Sequence, residues 1–235
     1  MAVNNSLAKK SEEMVTVRYE VNGAQVIISP TIIRNYLVNG DGNVSDQEIV
    51  LFMNLCKFQR LNPFLREAYL IKFGTSPATM VVGKEVFTKR ANRNTAYDGH
   101  EAGIIVLDKD GNPVERTGTF KLPKEQIVGG WASVYKKDHK VPTKISVSID
   151  EYIGRKKGGE INSQWSKKPA TMIRKVALVQ ALREAFPEDF QGLYAAEESG
   201  VDDAVINTEP ITIQSTEKPA FTEIEVVQPN DDPLA

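Results

Sequence analysis

WSKKPATMIRKVALVQALREAFPEDFQGLYAAEE, residues 165–198, is the stretch whose reading decides how this chain folds. Pro169 suits the first turn of a helix, where its missing N–H has no intrahelical partner to lose, and Pro187 cannot continue one. The segment between them, ATMIRKVALVQALREAF, is rich in good helix formers and predicts one long helix. At 100° per residue Met172, Val176, Val179 and Phe186 share a face, and Arg183 falls on that same face. An unpaired charge buried there would cost several kcal/mol. Arg183 therefore either pairs with an acid of the fold or meets an external anion such as a phosphate. Lys175 lies at the margin of this face, and Arg174 lies on the far side beside Ala181 and Ala185.

Upstream of the helix, WASVYKK and TKISVSI alternate as strands and are joined across residues 138–142, while GIIVLD and PVERTGTF meet at the turn signal Asp110-Gly111. Together they predict a β-meander. Further back come a basic helix, KEVFTKRANR, over 84–93 and two short strand runs, EAYLIKF and ATMVV. Ser45-Asp46-Gln47-Glu48 reads as a capping box, and the helix behind it spaces Ile49, Phe52, Met53 and Cys56 for one buried face. Ser29-Pro30 opens a shorter helix, TIIRNYLV, and Asn22-Gly23 turns a hairpin between VTVRYEV and AQVIIS. The expected class is α+β: β-hairpins and a meander packed with helices in a single core over residues 14–200. Residues 1–13 are polar and read as a disordered N-terminus, and 201–235 as a disordered acidic tail.

With 235 residues and 41% hydrophobic content, the chain can bury one core. Cys56 is its only cysteine, so no internal disulfide forms, and its apolar neighbours make it a core thiol. No apolar run is long enough to span a membrane and MAVNNSLAKKSEE has no signal-peptide core, so a cytoplasmic protein without a membrane partner is expected.

The formal net charge of −2 hides a strong division. Residues 201–235 carry −7, which leaves +5 on the first 200, and residues 121–183 alone hold fourteen Lys/Arg against five Asp/Glu. Within that basic block, rings alternate with cations: Tyr135 with Lys136 and Lys137, Tyr152 with Arg155, Lys156 and Lys157, Trp165 with Lys167 and Lys168. Lys84, Lys89, Arg90 and Arg93 form a second basic cluster. Cations that follow a phosphate backbone, with rings on which bases stack, are what single-stranded nucleic acid requires. The competing reading makes each cation a solvated face and each ring part of the core.

Other chemistries have little support. Gly83-Lys84-Glu85 lacks the preceding glycine and the Ser/Thr of a phosphate-binding loop, so no ATP site is expected. His100 and His139 both sit by turn signals and read as surface residues, which argues against zinc or histidine catalysis. Asp138-His139-Lys140 has the acid-x-lysine spacing of some metal-dependent nucleases, but a turn beside Pro142 holds such residues for solvation alone.

Several stretches together resemble the Bet/RecT family of phage recombination proteins, the RecT/Redβ class of single-strand annealing proteins. They are FMNLCKFQRLNPFLREAYLIKF, MVVGKEVFTKRANRNTAYDG, the strand pair WASVYKK and PTKISVSIDEY, and above all the segment quoted first. In that segment a Trp-x-x-x-Pro entrance, a Met-x-x-Lys helix, Ala-Leu-Arg, Ala-Phe-Pro and Gly-Leu-Tyr follow one another in the family's order. The resemblance spans roughly residues 27–199. It implies a non-enzymatic protein that binds single-stranded DNA and the annealed duplex, works without ATP or a resident metal, with Mg²⁺ as an aid, and assembles into rings or helical filaments. It also implies groove cations at Arg66, Lys137, Arg174, Lys175 and Arg183, with an exonuclease or a host single-strand-binding protein as partner in a bacterial host. Where the family has a basic pair after the helix-entry proline, this sequence has Ala170-Thr171, and Lys167 and Lys168 stand just before it. A passive single-strand-binding protein remains the alternative.

Overall fold

Asn22 and Gly23 both take positive φ, 54° and 80°, and so turn β1 (Val17–Val21) tightly into its antiparallel partner β2 (Ala24–Ile28). The computed structural model describes residues 16–156, 158–195 and 198, so the two expected tails lie outside the described residues. Ser29 caps α1 (Pro30–Ile32), which runs on as a π-helical turn through Ile33–Leu37 into the two-residue strand β3 (Val38–Asn39). Helix α2 (Asp46–Phe58) starts in the expected capping box and buries Ile49, Phe52, Met53 and Cys56. Its capping glutamate does more than cap. Glu48 also accepts from Lys72 Nζ at 2.7 Å and from the Ala78 N–H at 2.8 Å, which ties the helix start to the strands that follow.

After a 3-10 turn over Pro63–Leu65, β4 (Ala68–Ile71) lies between β3, parallel to it, and β5 (Thr79–Val82), antiparallel to it. The basic helix α3 (Lys84–Arg93) leads to β6 (Tyr97–Leu107), β7 (Pro113–Thr117), β8 (Gln126–Lys136) and β9 (Thr143–Ser148). These four do not form a meander. Their order is β7-β6-β8-β9, so two hairpins meet through the pairing of β6 with β8. The physical reason lies in β7, which opens with Pro113 and alternates exposed and half-buried residues. Such a strand suits an edge, whereas β6 and β8 hold the apolar runs that a central position buries. Strand β6 also starts earlier than GIIVLD suggests. Asp98-Gly99 is a register shift inside it rather than a turn, with Gly99 at φ 106°.

The short helices α4 (Ile149–Tyr152) and α5 (Ser163–Lys167) precede α6 (Pro169–Ala185), the long helix. It is buried on several sides: Met172, Val176 and Val179 on the expected face, and Ile173, Ala177, Ala181 and Ala185 around the rest. A helix buried on more than one face sits in the middle of a fold rather than on its surface. It packs on β8 so closely that a Cβ at Gly130 would stand 2.6 Å from the Ile173 carbonyl oxygen. Beyond α6 the chain returns to α3 and β5, where Phe190 stacks on Phe87 with centroids 5.3 Å apart and Ala195 bridges to Val82. Residues of the β1–β2 hairpin, α2, α3, the four-stranded sheet and α6 join one core.

Candidate nucleic-acid interface

The segment after α4 builds a basic projection on a buried base. Lys156 N–H donates to Glu160 O at 2.8 Å and Arg155 Nη1 to Gly159 O at 2.9 Å, closing a tight loop that leaves Lys156 exposed. Asn162 N–H donates back to Gly154 O, and Asn162 Oδ1 accepts from the Trp165 N–H at 3.0 Å, capping α5. Trp165 is 1% exposed, and its ring lies where a Cβ at Gly154 would come within 2.9 Å of Cδ1. That ring is the foundation of the loop and offers no face on which a base could stack. Lys157 lies outside the described residues.

Lys167 and Lys168 follow, both exposed, at the entrance of α6. Lys168 provides no side-chain cap and the first turn of α6 contains no acid. The positive end of a long helix dipole thus coincides with two lysines, an arrangement that favours anions and has nothing within the helix to neutralise it.

Arg174 sits one turn further on. Its Nε donates to the Ala102 carbonyl at 3.1 Å, and the Gly118 N–H donates to the same oxygen at 2.9 Å. The side chain is half-buried against β6 rather than on an open far side. Nearby, His100 is half-buried with Tyr97 Oη 2.5 Å from its Nδ1. Burial lowers its pKa, and the charges of Arg174 and Lys84 lower it further. His100 is therefore a neutral ring inside a cationic junction of α3, β6 and α6, not the surface histidine expected from an Asp-Gly turn. Lys175 is half-buried on α6, and Arg66 is half-buried with left-handed backbone, φ 60°, after the Pro63–Leu65 turn. Lys137 is exposed just past the end of β8.

The remaining expected site residues have intramolecular work. Lys89 Nζ lies 2.8 Å from Glu67 Oε1, a carboxylate that also accepts from the Asn62 N–H. Arg90 donates to Gln59 Oε1 and to the Asp189 carbonyl, both at 2.8 Å, and to the Gln59 carbonyl, so it joins the end of α2 to the turn after α6. Tyr152 packs its ring against the core, and its hydroxyl accepts from Gln180 Nε2. Arg183 is held by Glu198. Depressions of about 300 and 370 Å³ near α3 include Glu188 and Asp189 in their walls, so they are mixed in sign and poorly suited to a polyanion. Among the described residues no group of three or more His, Cys, Asp or Glu could hold a metal ion, and no helix is long and apolar enough to cross a membrane.

Lysines on separate elements and a bare helix start give this surface the character of a binding face. Comparison with known proteins bears on what is bound, since residues 27–212 match the RecT family. This chain belongs to the RecT family. It is similar to the recombination protein bet of Escherichia phage lambda, 24% identical over 162 residues that cover 67% of this chain and 53% of the phage protein. It is also similar to the uncharacterized protein UU154 of Ureaplasma parvum serovar 3, 30% identical over 181 residues, 75% of this chain and 72% of that one. The chain spans about half the length of the phage relative. The RecT match covers the projection, the whole of α6 and the Arg183–Glu198 pair, so the features described above lie inside the family region.

Proposed function

We propose that this RecT-family chain binds single-stranded DNA and anneals complementary strands without a nucleotide cofactor, as an assembly of identical subunits in rings or filaments. The observation that carries this reading is the cationic run formed by Lys156, the uncapped start of α6 with Lys167 and Lys168, and Arg174, all inside the region matched to the family. Lys137, towards the other end of α6, would be a separate contact, with Arg66 and Lys175 as further ones. Phosphates neutralised along this run leave bases unstacked and facing outward, and a complementary strand pairs with them, so that sequence is read by base pairing alone. Mg²⁺ aids by screening the second strand. A partner exonuclease or host single-strand-binding protein, met in the bacterial cytoplasm, would deliver the resected strand. The acidic residues 201–235 would serve solubility or partner contact.

Mixing two complementary labelled oligonucleotides with the protein, without nucleotide, tests the proposal. Duplex formation faster than in a protein-free control is the expected result. Tight binding with no acceleration would make the chain a passive single-strand-binding protein. Shortening of labelled single strands with Mg²⁺ present would overturn the reading in favour of a nuclease.

A further inference from the structure

The loop that follows β7 carries a feature the cationic run does not account for. Phe120 is 70% exposed and Leu122 49% exposed, two large apolar side chains within three residues. The loop that carries them is cross-linked around Glu125. Glu125, 9% exposed, takes the Leu122 N–H on Oε2 at 2.8 Å and Arg116 Nη2 on Oε1 at 2.5 Å. Its own N–H donates to Leu122 O at 3.1 Å, and Lys121 Nζ donates to its carbonyl at 3.1 Å. At the loop's start, Gly118, φ 77°, donates to the Ala102 carbonyl that also receives Arg174 Nε. The loop is thus braced by hydrogen bonds, offers apolar tips, carries Lys121 and Lys124, and springs from the oxygen that anchors a cation of the proposed DNA face.

We infer that Phe120 is a base-stacking wedge, with Leu122 beside it, for the single strand whose phosphates run past Arg174. This rests on the single-strand-binding reading above. An aromatic face with lysines in the same loop suits the flat apolar face of a nucleobase and its neighbouring phosphates, and it tolerates any base because every base has a π-face. Apolar tips on a stiff support also part neighbouring bases, since the support does not yield when the stack closes. Each subunit would then interrupt the stack once and hold the strand extended for pairing. A second copy of the chain is the competing occupant, but Lys121, Lys124 and the nearby Arg174 favour a polyanion.

The test compares an oligothymidylate with an abasic strand of equal length, for wild type and for Phe120→Ala and Phe120→Trp, with assembly size measured by light scattering. None of the hydrogen bonds that brace the loop involves Phe120, so the variants keep the loop's supports, which thermal unfolding checks. The wild type is expected to prefer the thymidylate strand by roughly tenfold, the scale of one stacked base. Phe120→Ala should lose that preference and bind both strands as the wild type binds the abasic one, and Phe120→Trp should keep it, with its fluorescence quenched by thymidylate only. A preference unchanged in Phe120→Ala overturns the wedge while the DNA reading stands. Loss of assembly with the preference intact overturns it in favour of a contact between copies. A wild type that binds neither strand overturns both readings together.

Discussion

Arg183 Nη2 lies 2.6 Å from Glu198 Oε2, and Arg183 Nη1 lies 3.0 Å from Glu198 Oε1, a two-bond pair between the end of α6 and the last described residue. The guanidinium also donates to the Leu193 carbonyl at 3.1 Å and stands over the Tyr194 ring, 4.9 Å from its centroid. Of the two roles open to an arginine on an apolar face, the fold supplies the acid. Arg183→Ala is expected to destabilise the protein by about 2–3 kcal/mol, less than a fully buried pair because the arginine is partly exposed. Urea unfolding of Arg183→Ala, Glu198→Gln and the double variant should show a shared loss, with the double variant well short of the sum. Unchanged stability with single-strand binding abolished would return Arg183 to the DNA.

Glu48 gives an acid-sensitive joint. Its hydrogen bond with Lys72, then those from the Ser45 and Ala78 N–H groups, lower its pKa from an ordinary 4.5 to about 2. A carboxylate whose folded pKa lies below its unfolded one adds stability that is complete above the unfolded value and disappears as pH falls through the folded one. Wild type should therefore lose thermal stability between about pH 4.5 and 2 more steeply than Glu48→Gln, which begins lower and changes less. Parallel pH profiles for the two proteins would contradict this.

The contact between α6 and β8 sets a steric limit. A Cβ at Gly130 would lie 2.6 Å from a backbone oxygen, whereas one at Gly158 would meet nothing within 4 Å. Gly130→Ala should cost about 2 kcal/mol or more, in the range of overpacked cores, while Gly158→Ala should be near neutral. Calorimetry of the two variants distinguishes them, and equal melting temperatures would mean that α6 can shift away from the sheet.

Replacing Lys167 and Lys168 together by alanine should lower affinity for single-stranded DNA and flatten its salt dependence. With about 0.7 of slope per phosphate contact on single strands, the log–log slope should become shallower by about 1.4. Titrations at several salt concentrations measure it. An unchanged slope would remove the α6 entrance from the DNA path.

Local chemistry was the legible part of this fold. Asn22-Gly23, Ser29-Pro30, the Ser45–Glu48 capping box and the Pro169 start all act within a few residues, and each element they predict is present. Cys56 is buried as its neighbours require, and burial pushes its thiol up to about 12. Strand order was less legible, because hairpin signals name which strands are joined and say nothing of which edge the next hairpin meets. Beside β4 and β5, which EAYLIKF and ATMVV announce, β3 is not legible for a related reason: it has two residues, too few for any periodicity.

The candidate site divides the same way. That a basic block alternates with rings is a property of the sequence, but whether a given cation or ring faces outward depends on partners distant in the chain. Lys89 meets Glu67, Arg90 meets Gln59 and Asp189, and Trp165 folds under Gly154, while Lys137, Lys156, Lys167 and Lys168 stay exposed. In PVERTGTF, Phe120 reads as the end of a strand, yet β7 stops at Thr117 and the phenyl ring is left outside. For the segment 165–198, sequence by itself determined a helix bounded by two prolines, since helix start and stop are settled by backbone hydrogen bonding within one turn. Only the tertiary structure decided that this helix is buried on several sides against the four-stranded sheet and that Arg183 turns to Glu198, because burial and ion pairing are set by groups that come together only when the whole chain has folded.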